Sequence, residues 1–351
     1  MKIVTVIGAR PQFIKAAAVS REIGLRENIE EVLLHTGQHF DPNMSDVFFE
    51  QLEIPKPKYN LEIHNLSHGA MTGKMLEAIE KVLLEERPDY VLVYGDTNST
   101  LAGALAASKL HIPIVHVESG LRSFNLKMPE EVNRIVTDRL SSFLFCPTQT
   151  AVDNLTQEGF ENFGCSVDLV GDVMLDSSLY FGSKLETKSE EKYYLATLHR
   201  QENTDDSKKL KNIIEAFNNI HKECKLICPL HPRTRKIIQE NNINCEFEMI
   251  DSVGYLEMVK LIKNSQAVLT DSGGLQKEAY FFQKPCLTLR EETEWVELVE
   301  AGVNFLVGSD SKKIFSTLKE VEQKSFDYDQ HFYGEGKASK TIIDKLLEKS
   351  S

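Results

Sequence analysis

The sequence predicts an α/β protein made of two doubly wound units in succession. Three observations predict it. Short apolar runs rich in β-branched residues recur along the chain, amphipathic helical periods separate them, and the rhythm stops once at a polar stretch and restarts. Near-continuous apolar runs alternating with helices indicate a parallel sheet covered on both faces. At 351 residues the chain has room for two domains of ordinary size.

In the first unit the runs are "KIVTVIG" (2–8), "EVLLHTG" (31–37), "YVLVYGD" (90–96), "IPIVHVE" (112–118), "FLFCPT" (143–148) and "VDLVGD" (167–172). The helical periods "HGAMTGKMLEAIEKVLLEE" (68–86) and "STLAGALAASKL" (99–110) lie between them. The polar stretch "SKLETKSEEK" (183–192) then interrupts. The second series is "YYLATLH" (193–199), "KLICPLH" (225–231), "FEMIDSV" (247–253), "AVLTDSG" (267–273), "PCLTLR" (285–290) and "NFLVG" (304–308). A last helical segment, "GKASKTIIDKLLEKS" (336–350), follows a polar, aromatic-rich stretch. The expected domains are 1–169 and 170–337, with a C-terminal helix at 338–351.

Composition narrows the function. Hydrophobic residues at 41% and charged residues at 26% are ordinary for a globular enzyme. A formal net charge of −13 argues against a general nucleic-acid binder, because neutralising phosphates needs a basic face. A small anionic ligand needs only a local group of donors. No apolar run approaches the roughly 20 residues of a membrane span. The opening "MKIVTVIGARPQ" reads as a first strand rather than a secretory leader. The six cysteines sit within or beside apolar runs, and "CKLIC" has no second pair to complete a zinc site. They are expected to be reduced packing thiols in a cytoplasmic protein with no metal.

In an open parallel sheet, ligands bind beyond the carboxyl ends of the strands. Here those ends carry Arg10, Asp96, Glu118, His199, His231, Asp271, Ser272 and Arg290. In "GARPQFIK" (8–15), Gly8 suits a tight turn and Pro11 a first helical turn, leaving Arg10 and Lys15 near a helix N-terminus that favours anions. The glycine spacing of a dinucleotide fingerprint is absent. In "TDSGGLQKEA" (270–279), Asp271 and Ser272 can cap a helix, while Gly273 and Gly274 let a phosphate approach backbone amides. Glu278, in the first turns, could accept bonds from ribose hydroxyls. His199 gains interest from Arg200 beside it, since a cation suits an anionic leaving group. In "MPEEVNRIVTDRL" (128–140), Pro129 opens a helix on which Glu130 and Arg134, four apart, share a face. Asp96 and Glu118 at neighbouring strand ends would raise each other's pKa if desolvated together, making proton transfer near neutrality feasible.

Seven of these motifs occur in the order found in the non-hydrolysing UDP-N-acetylglucosamine 2-epimerases: "GARPQFIK", "TGQH", "YGDTNST", "HVESGLRS", "MPEEVNR", "LHRQEN" and "DSGGLQKEA". The chain resembles that family over nearly its whole length. The resemblance implies a glycosyltransferase-B-like fold, two Rossmann-type domains around a cleft, with the C-terminal helix crossing back to the first domain. It also implies a homodimer, no cofactor and a UDP-2-acetamido sugar substrate. Matching motif positions would put Arg10, Lys15, Asp96, Glu118, Glu130, Arg134 and His199 around the reacting sugar and diphosphate. Ser272, Gly273 and Glu278 would hold phosphates and ribose. The family reaction removes the C2 proton as the anomeric C1–O bond breaks, releases UDP to leave a bound 2-acetamidoglucal, and adds UDP back with a proton from the opposite face. Two proton-transfer groups are therefore needed, plus cations for the departing diphosphate. Asp96, Glu118 and Glu130 form the candidate set, either division into base and acid being compatible with the sequence.

The chain departs from the family pattern in places. Where UDP-GlcNAc enzymes often continue "QHR" and bind a second, activating UDP-GlcNAc, this chain reads "QHFDPNM" with Phe40 and Asp41. Lys74 replaces an arginine, Trp295 and Val296 stand where "TERPE" has Arg-Pro, and Met258 falls at the uracil-stacking aromatic. Interconversion of UDP-GlcNAc and UDP-ManNAc for surface polysaccharide synthesis is the leading expectation, with loss of the second-site activation. A UDP-2,3-diacetamido-2,3-dideoxyglucuronate substrate is the alternative. A glycosyltransferase of the same fold would need an acceptor site, and a non-catalytic nucleotide-sugar sensor would not need Asp96, Glu118 and Glu130 together.

Overall fold

The computed structural model describes residues 1–38, 49–186 and 191–350. The chain divides into two compact units: Met1–Ser177 with Phe332–Ser351, and Ser178–His331. The first crossing thus falls inside the helix Val173–Lys184 rather than ahead of it. Local bonding explains this. Asp172 N–H donates to the Tyr333 carbonyl at 2.9 Å, and Asp176 accepts from Ala338 and Ser339, so the start of the helix is tied to the returning chain.

Among the described residues the first unit has a seven-stranded parallel sheet: β1 Lys2–Ile7, β2 Glu30–His35, β3 Tyr59–Asn60, β4 Tyr90–Tyr94, β5 Ile114–Val117, β6 Phe143–Cys146 and β7 Ser166–Leu169. Its order is β3-β2-β1-β4-β5-β6-β7, so the winding reverses between β1 and β4. Every apolar run read from the sequence of this unit contains a strand. β3 was not foreseen, because two residues make no run.

The second unit has six parallel strands: β8 Tyr194–Thr197, β9 Leu226–Leu230, β10 Glu248–Asp251, β11 Val268–Thr270, β12 Cys286–Thr288 and β13 Asn304–Leu306. The order β10-β9-β8-β11-β12-β13 reverses between β8 and β11. Pro229 inside β9 is tolerated because the register with β8 ends at Ile227, beyond which β9 pairs only with β10.

Both sheets are buried by helices whose apolar residues follow helical spacing. On Ser207–Glu223, Leu210, Ile213, Ile214, Phe217 and Ile220 face the second sheet, joining Ala196, Leu226 and Leu269. Over the first sheet, His68–Glu86 contributes Met75 and Ile79, and Asn98–Lys109 contributes Ala102, Ala104 and Ala106. A Cβ on Gly103 would come within 3.1 Å of Val93, so small residues let this helix lie close. No helix among the described residues is long and apolar enough to cross a membrane. All six cysteines are free, with Cys146, Cys228 and Cys286 buried.

Candidate functional site

In the first unit the reversal point brings together the end of β1, the end of β4 and the start of Arg10–Gly24. Gly8 does not adopt positive φ. It is needed for space, since a Cβ there would lie 2.0 Å from Thr36 Oγ1 and 2.3 Å from Ser99 Oγ. The Gln12 amide locks the turn, accepting from Gly8 N–H at 2.8 Å and donating to the Tyr94 carbonyl at 3.0 Å. Arg10 opens the helix, and Lys15, one turn and a half further, is buried.

The carboxylates are arranged differently from the expected like-charge pair. Each has its own cation: Lys15 Nζ bonds Glu118, and Arg134 bonds Asp96. Glu118 is nearly buried at 9% side-chain exposure, whereas Asp96 keeps 30%. Glu118 reaches Lys15 from a left-handed backbone, φ +67°, a conformation costing a non-glycine residue about 1–2 kcal/mol. Such strain, held by its surroundings, is characteristic of functional positions.

The expected pairing of Glu130 with Arg134 is replaced. Glu130 is exposed, and the helix Pro129–Leu140 turns Glu131 and Arg134 inward instead. Arg134 lies 3.2 Å from Glu131, whose oxygens also accept from Ser123 N–H, Ser123 Oγ and Phe124 N–H, each at 2.9 Å. Asn133 donates to the Asp96 carbonyl at 2.9 Å. Glu131 and Asn133 thus fix both the 121–128 loop and the Asp96 turn. Behind the turn, His116, Asp138 and Arg122 form a buried network.

In the second unit the reversal point joins the ends of β8 and β11, where Thr197 and Thr270 share a 2.6 Å hydroxyl bond. Asp271, fully buried, accepts from the His199 N–H at 3.1 Å and the Arg200 N–H at 2.9 Å, and lies 3.2 Å from His199 Nδ1. A carboxylate on Nδ1 sets the ring's orientation and leaves Nε2 for chemistry. His199 itself is half exposed. The sequence had suggested Asp271 as a cap, but Ser272 alone caps the helix Gly273–Phe281, accepting from Leu275 N–H at 3.4 Å.

Around that helix start stand Arg200, Arg290 and Glu294. Arg290 donates to Glu294 at 2.9 Å. Burial alone would raise the Glu294 carboxyl, but the charges of Arg290 and Arg200 outweigh it and hold it below its ordinary value. A Cβ on Gly273 would meet Glu294 Oε1 at 2.4 Å, so this glycine makes room for a carboxylate. Gly274 follows it in the first turn. Glu278 is buried on the same helix. Trp295 donates from its indole to the Gly273 carbonyl at 2.9 Å and lies 4.3 Å from the buried Lys277 ammonium, ring face to cation. His231, a candidate for holding substrate, also caps Pro232–Glu240, its Nδ1 accepting from Arg233 N–H at 3.2 Å. Met258 packs beside the core of Tyr193, Leu195 and Ile262. Lys74 is exposed; Phe40 and Asp41 lie outside the described residues. Among the described residues no group of three His, Cys, Asp or Glu is placed to hold a metal ion.

Two Rossmann-type units, each with polar side chains and a helix start at its reversal point, define a class of nucleotide-binding α/β proteins. The UDP-N-acetylglucosamine 2-epimerase family model matches residues 21–347. A UDP-2,3-diacetamido-2,3-dideoxy-D-glucuronate 2-epimerase of Pseudomonas aeruginosa is 56% identical, covering 99% of this chain and all of that one. A UDP-N-acetylglucosamine 2-epimerase of Methanocaldococcus jannaschii is 44% identical over 98% of both chains. Its crystal structure in complex with UDP-GlcNAc and UDP superposes at TM-score 0.90, covering 99% and 100% of the two chains. The Neisseria meningitidis enzyme bound to UDP-GlcNAc gives TM-score 0.88 at 34% identity, with 99% and 100% covered. The chain belongs to the UDP-N-acetylglucosamine 2-epimerase family. It shares the glycosyltransferase-B-like fold class of these neighbours, and its general activity is that of a 2-epimerase.

Proposed function

We propose that this enzyme epimerises C2 of a UDP-linked 2-acetamido sugar, and that the sugar is a 2,3-diacetamido-2,3-dideoxyglucuronate. The observation that carries the substrate is the 56% identity to the P. aeruginosa relative over essentially both whole chains, against 52% for a Methanococcus maripaludis UDP-N-acetylglucosamine 2-epimerase homologue and 44% for the M. jannaschii enzyme. The leading expectation from sequence, UDP-GlcNAc, becomes the second reading, favoured by the family's solved complexes.

In this reading Asp96, Glu118 and Glu130 remain the proton-transfer candidates, with His199 oriented by Asp271. Lys15 and Arg134 hold two of the acids while Arg10 and the amides at Ser272, Gly273 and Gly274 receive diphosphate charge. Glu278 serves the ribose. The enzyme works as a homodimer, without a cofactor, in the cytoplasm, supplying surface polysaccharide synthesis. Incubated in deuterated water with each UDP-sugar separately, it should convert the diacetamido-glucuronate fastest and place deuterium at C2 of the product. Faster turnover of UDP-GlcNAc would transfer the assignment to the second reading, and epimerisation without solvent label would end the proton-abstraction mechanism.

Loss of second-site activation belongs to the same reading and rests on other residues. By residue type alone, Phe40 would offer no cation to a second nucleotide's phosphates, Asp41 would repel them, and Lys74 lacks the two-pronged contact of arginine. An activator works only through differential affinity for two conformations. Initial rates should therefore be hyperbolic in substrate, and sigmoidal rates would show that a second site operates.

A further inference from the structure

His116 lies on β5, two residues before Glu118, with no exposed surface. Its Nδ1 is 2.7 Å from Asp138 Oδ1, and its Nε2 is 2.7 Å from the Gly95 carbonyl oxygen. A carbonyl oxygen only accepts. Asp138 is surrounded by donors, with Arg122 Nη1 at 2.7 Å and Gly120 N–H at 3.2 Å on its other oxygen. Burial would raise the Asp138 carboxyl, yet the bonds and charges of His116 and Arg122 hold it below its ordinary value. An ionised carboxylate also only accepts, so each imidazole nitrogen must bring a hydrogen.

The Gly95 peptide is where this matters. Gly95 has φ +60°, and a Cβ there would lie 3.0 Å from Glu118 Oε2 and 3.1 Å from Lys15 Nζ. Its N–H donates to the Val117 carbonyl at 2.9 Å while its own carbonyl takes the imidazole. The next residue is Asp96. Around the ring stand Asp138 from the helix Pro129–Leu140 and Arg122 behind it, with Lys15 and Glu118 on the other side of Gly95. We propose that His116 is a positioning residue: carrying a hydrogen on both ring nitrogens, it clamps the Gly95 peptide between β5 and Asp138, and so sets where Asp96 stands relative to the Lys15–Glu118 pair.

The kinetic part of the test rests on the 2-epimerase reading; the protonation part does not. The full chain is labelled with 15N in its histidine rings, and His116 is assigned through its contacts to Gly95 and Asp138. In the native protein both nitrogens should show directly bonded hydrogen, as their two 2.7 Å contacts to acceptor oxygens require. A bare nitrogen on His116 overturns the proposal.

Two variants then separate positioning from stability. In His116→Asn the amide reaches Asp138 but leaves the Gly95 carbonyl. In His116→Gln the longer amide reaches Gly95 and leaves the buried carboxylate short of a donor. The Asn variant should melt higher yet lose about 10²-fold in kcat with KM little changed, the size expected from a small misplacement of reacting groups. The Gln variant should melt lower and keep more kcat. Activity that instead follows the melting order overturns the positioning role. A wild-type enzyme with no turnover or C2 exchange would remove the functional reading, while the imidazole signal and the melting order still decide for or against His116.

Discussion

Glu118 pairs with Lys15, and Asp96 with an Arg134 that also lies against Glu131, which fixes the direction of each acid. Losing a general acid or base typically costs ~10²–10⁴-fold in rate. Asp96→Asn and Glu118→Gln should each lose turnover in that range while UDP still binds by calorimetry, because neither stands in the unit with Ser272, Gly273 and Gly274. Glu130 is the sharper test, being exposed and apart from both ion pairs. If Glu130→Gln keeps near-normal kcat, it leaves the proton-transfer set. Asp271→Asn addresses His199 from behind. The amide puts an N–H₂ where one acceptor oxygen stood, so the ring loses its fixed orientation and kcat should fall about 10²-fold or more. A melting temperature near that of the wild type would locate that loss in the chemistry. Residue identities single out candidate groups, but not their partners. From Arg134, both Glu130 and Glu131 are adjacent on a helix surface. Which one is used depends on the face that packs inward, and the 121–128 loop decides that by filling both oxygens of Glu131.

At the scale of elements, the strands were legible because a strand buried on both faces must be apolar along its whole length. The helix "HGAMTGKMLEAIEKVLLEE" was read at its observed bounds, His68–Glu86, since its apolar positions keep helical spacing between polar flanks. β3 was not legible, because a two-residue strand is held by its neighbours. Its holder is Glu86, at the end of that helix, which takes Lys2 at 2.5 Å, Lys58 at 2.6 Å and Tyr59 Oη at 2.5 Å. One buried carboxylate therefore joins β1, β3 and the helix. These donors pull its pKa down from 4.5 to about 2, the bond from Lys2 first. A carboxyl depressed on folding stabilises the native state above its unfolded value and loses that effect as pH falls through the folded one. Glu86→Gln should cost about 1.5–3 kcal/mol at neutral pH, the usual range for a hydrogen bond to a charged group. Denaturant titrations should show the gap between variant and wild type closing as the pH drops from about 4.5 toward 2. A gap that stays constant across that window would show that packing, not charge, holds the junction.

At the scale of the molecule, one chain builds two sheets whose winding reverses in the same way, and each reversal gathers its own set of candidate residues. The division into units came from the interrupted rhythm of the sequence, but the bonds that end the first unit join residues more than 160 apart, which no local pattern reveals. Asp176 makes them. Its oxygens accept from Ala338 N–H at 3.1 Å, Ser339 N–H at 2.7 Å and Ser339 Oγ at 2.5 Å, so a side chain from the outgoing helix caps the returning one. Along that returning helix, Ala338–Ser350, Asp344 meets Arg26 at 3.0 Å and Lys345 meets Asp168 at 2.7 Å. Partly exposed pairs of this kind contribute less than a buried one, so the buried cap is the stronger tie. Asp176→Ala removes an acceptor from three donors, and lost caps cost about 0.5–2 kcal/mol. The variant should melt earlier, and limited proteolysis should release a fragment beginning near Ala338 sooner than in the wild type. UDP affinity should stay close to normal, because Ser272, Gly273, Gly274 and Glu278 belong to the other unit and Arg10 sits at the start of a different helix, Arg10–Gly24. If UDP binding fell as steeply as the melting temperature, the C-terminal helix would be serving both units, and assigning its effect to the first alone would be wrong.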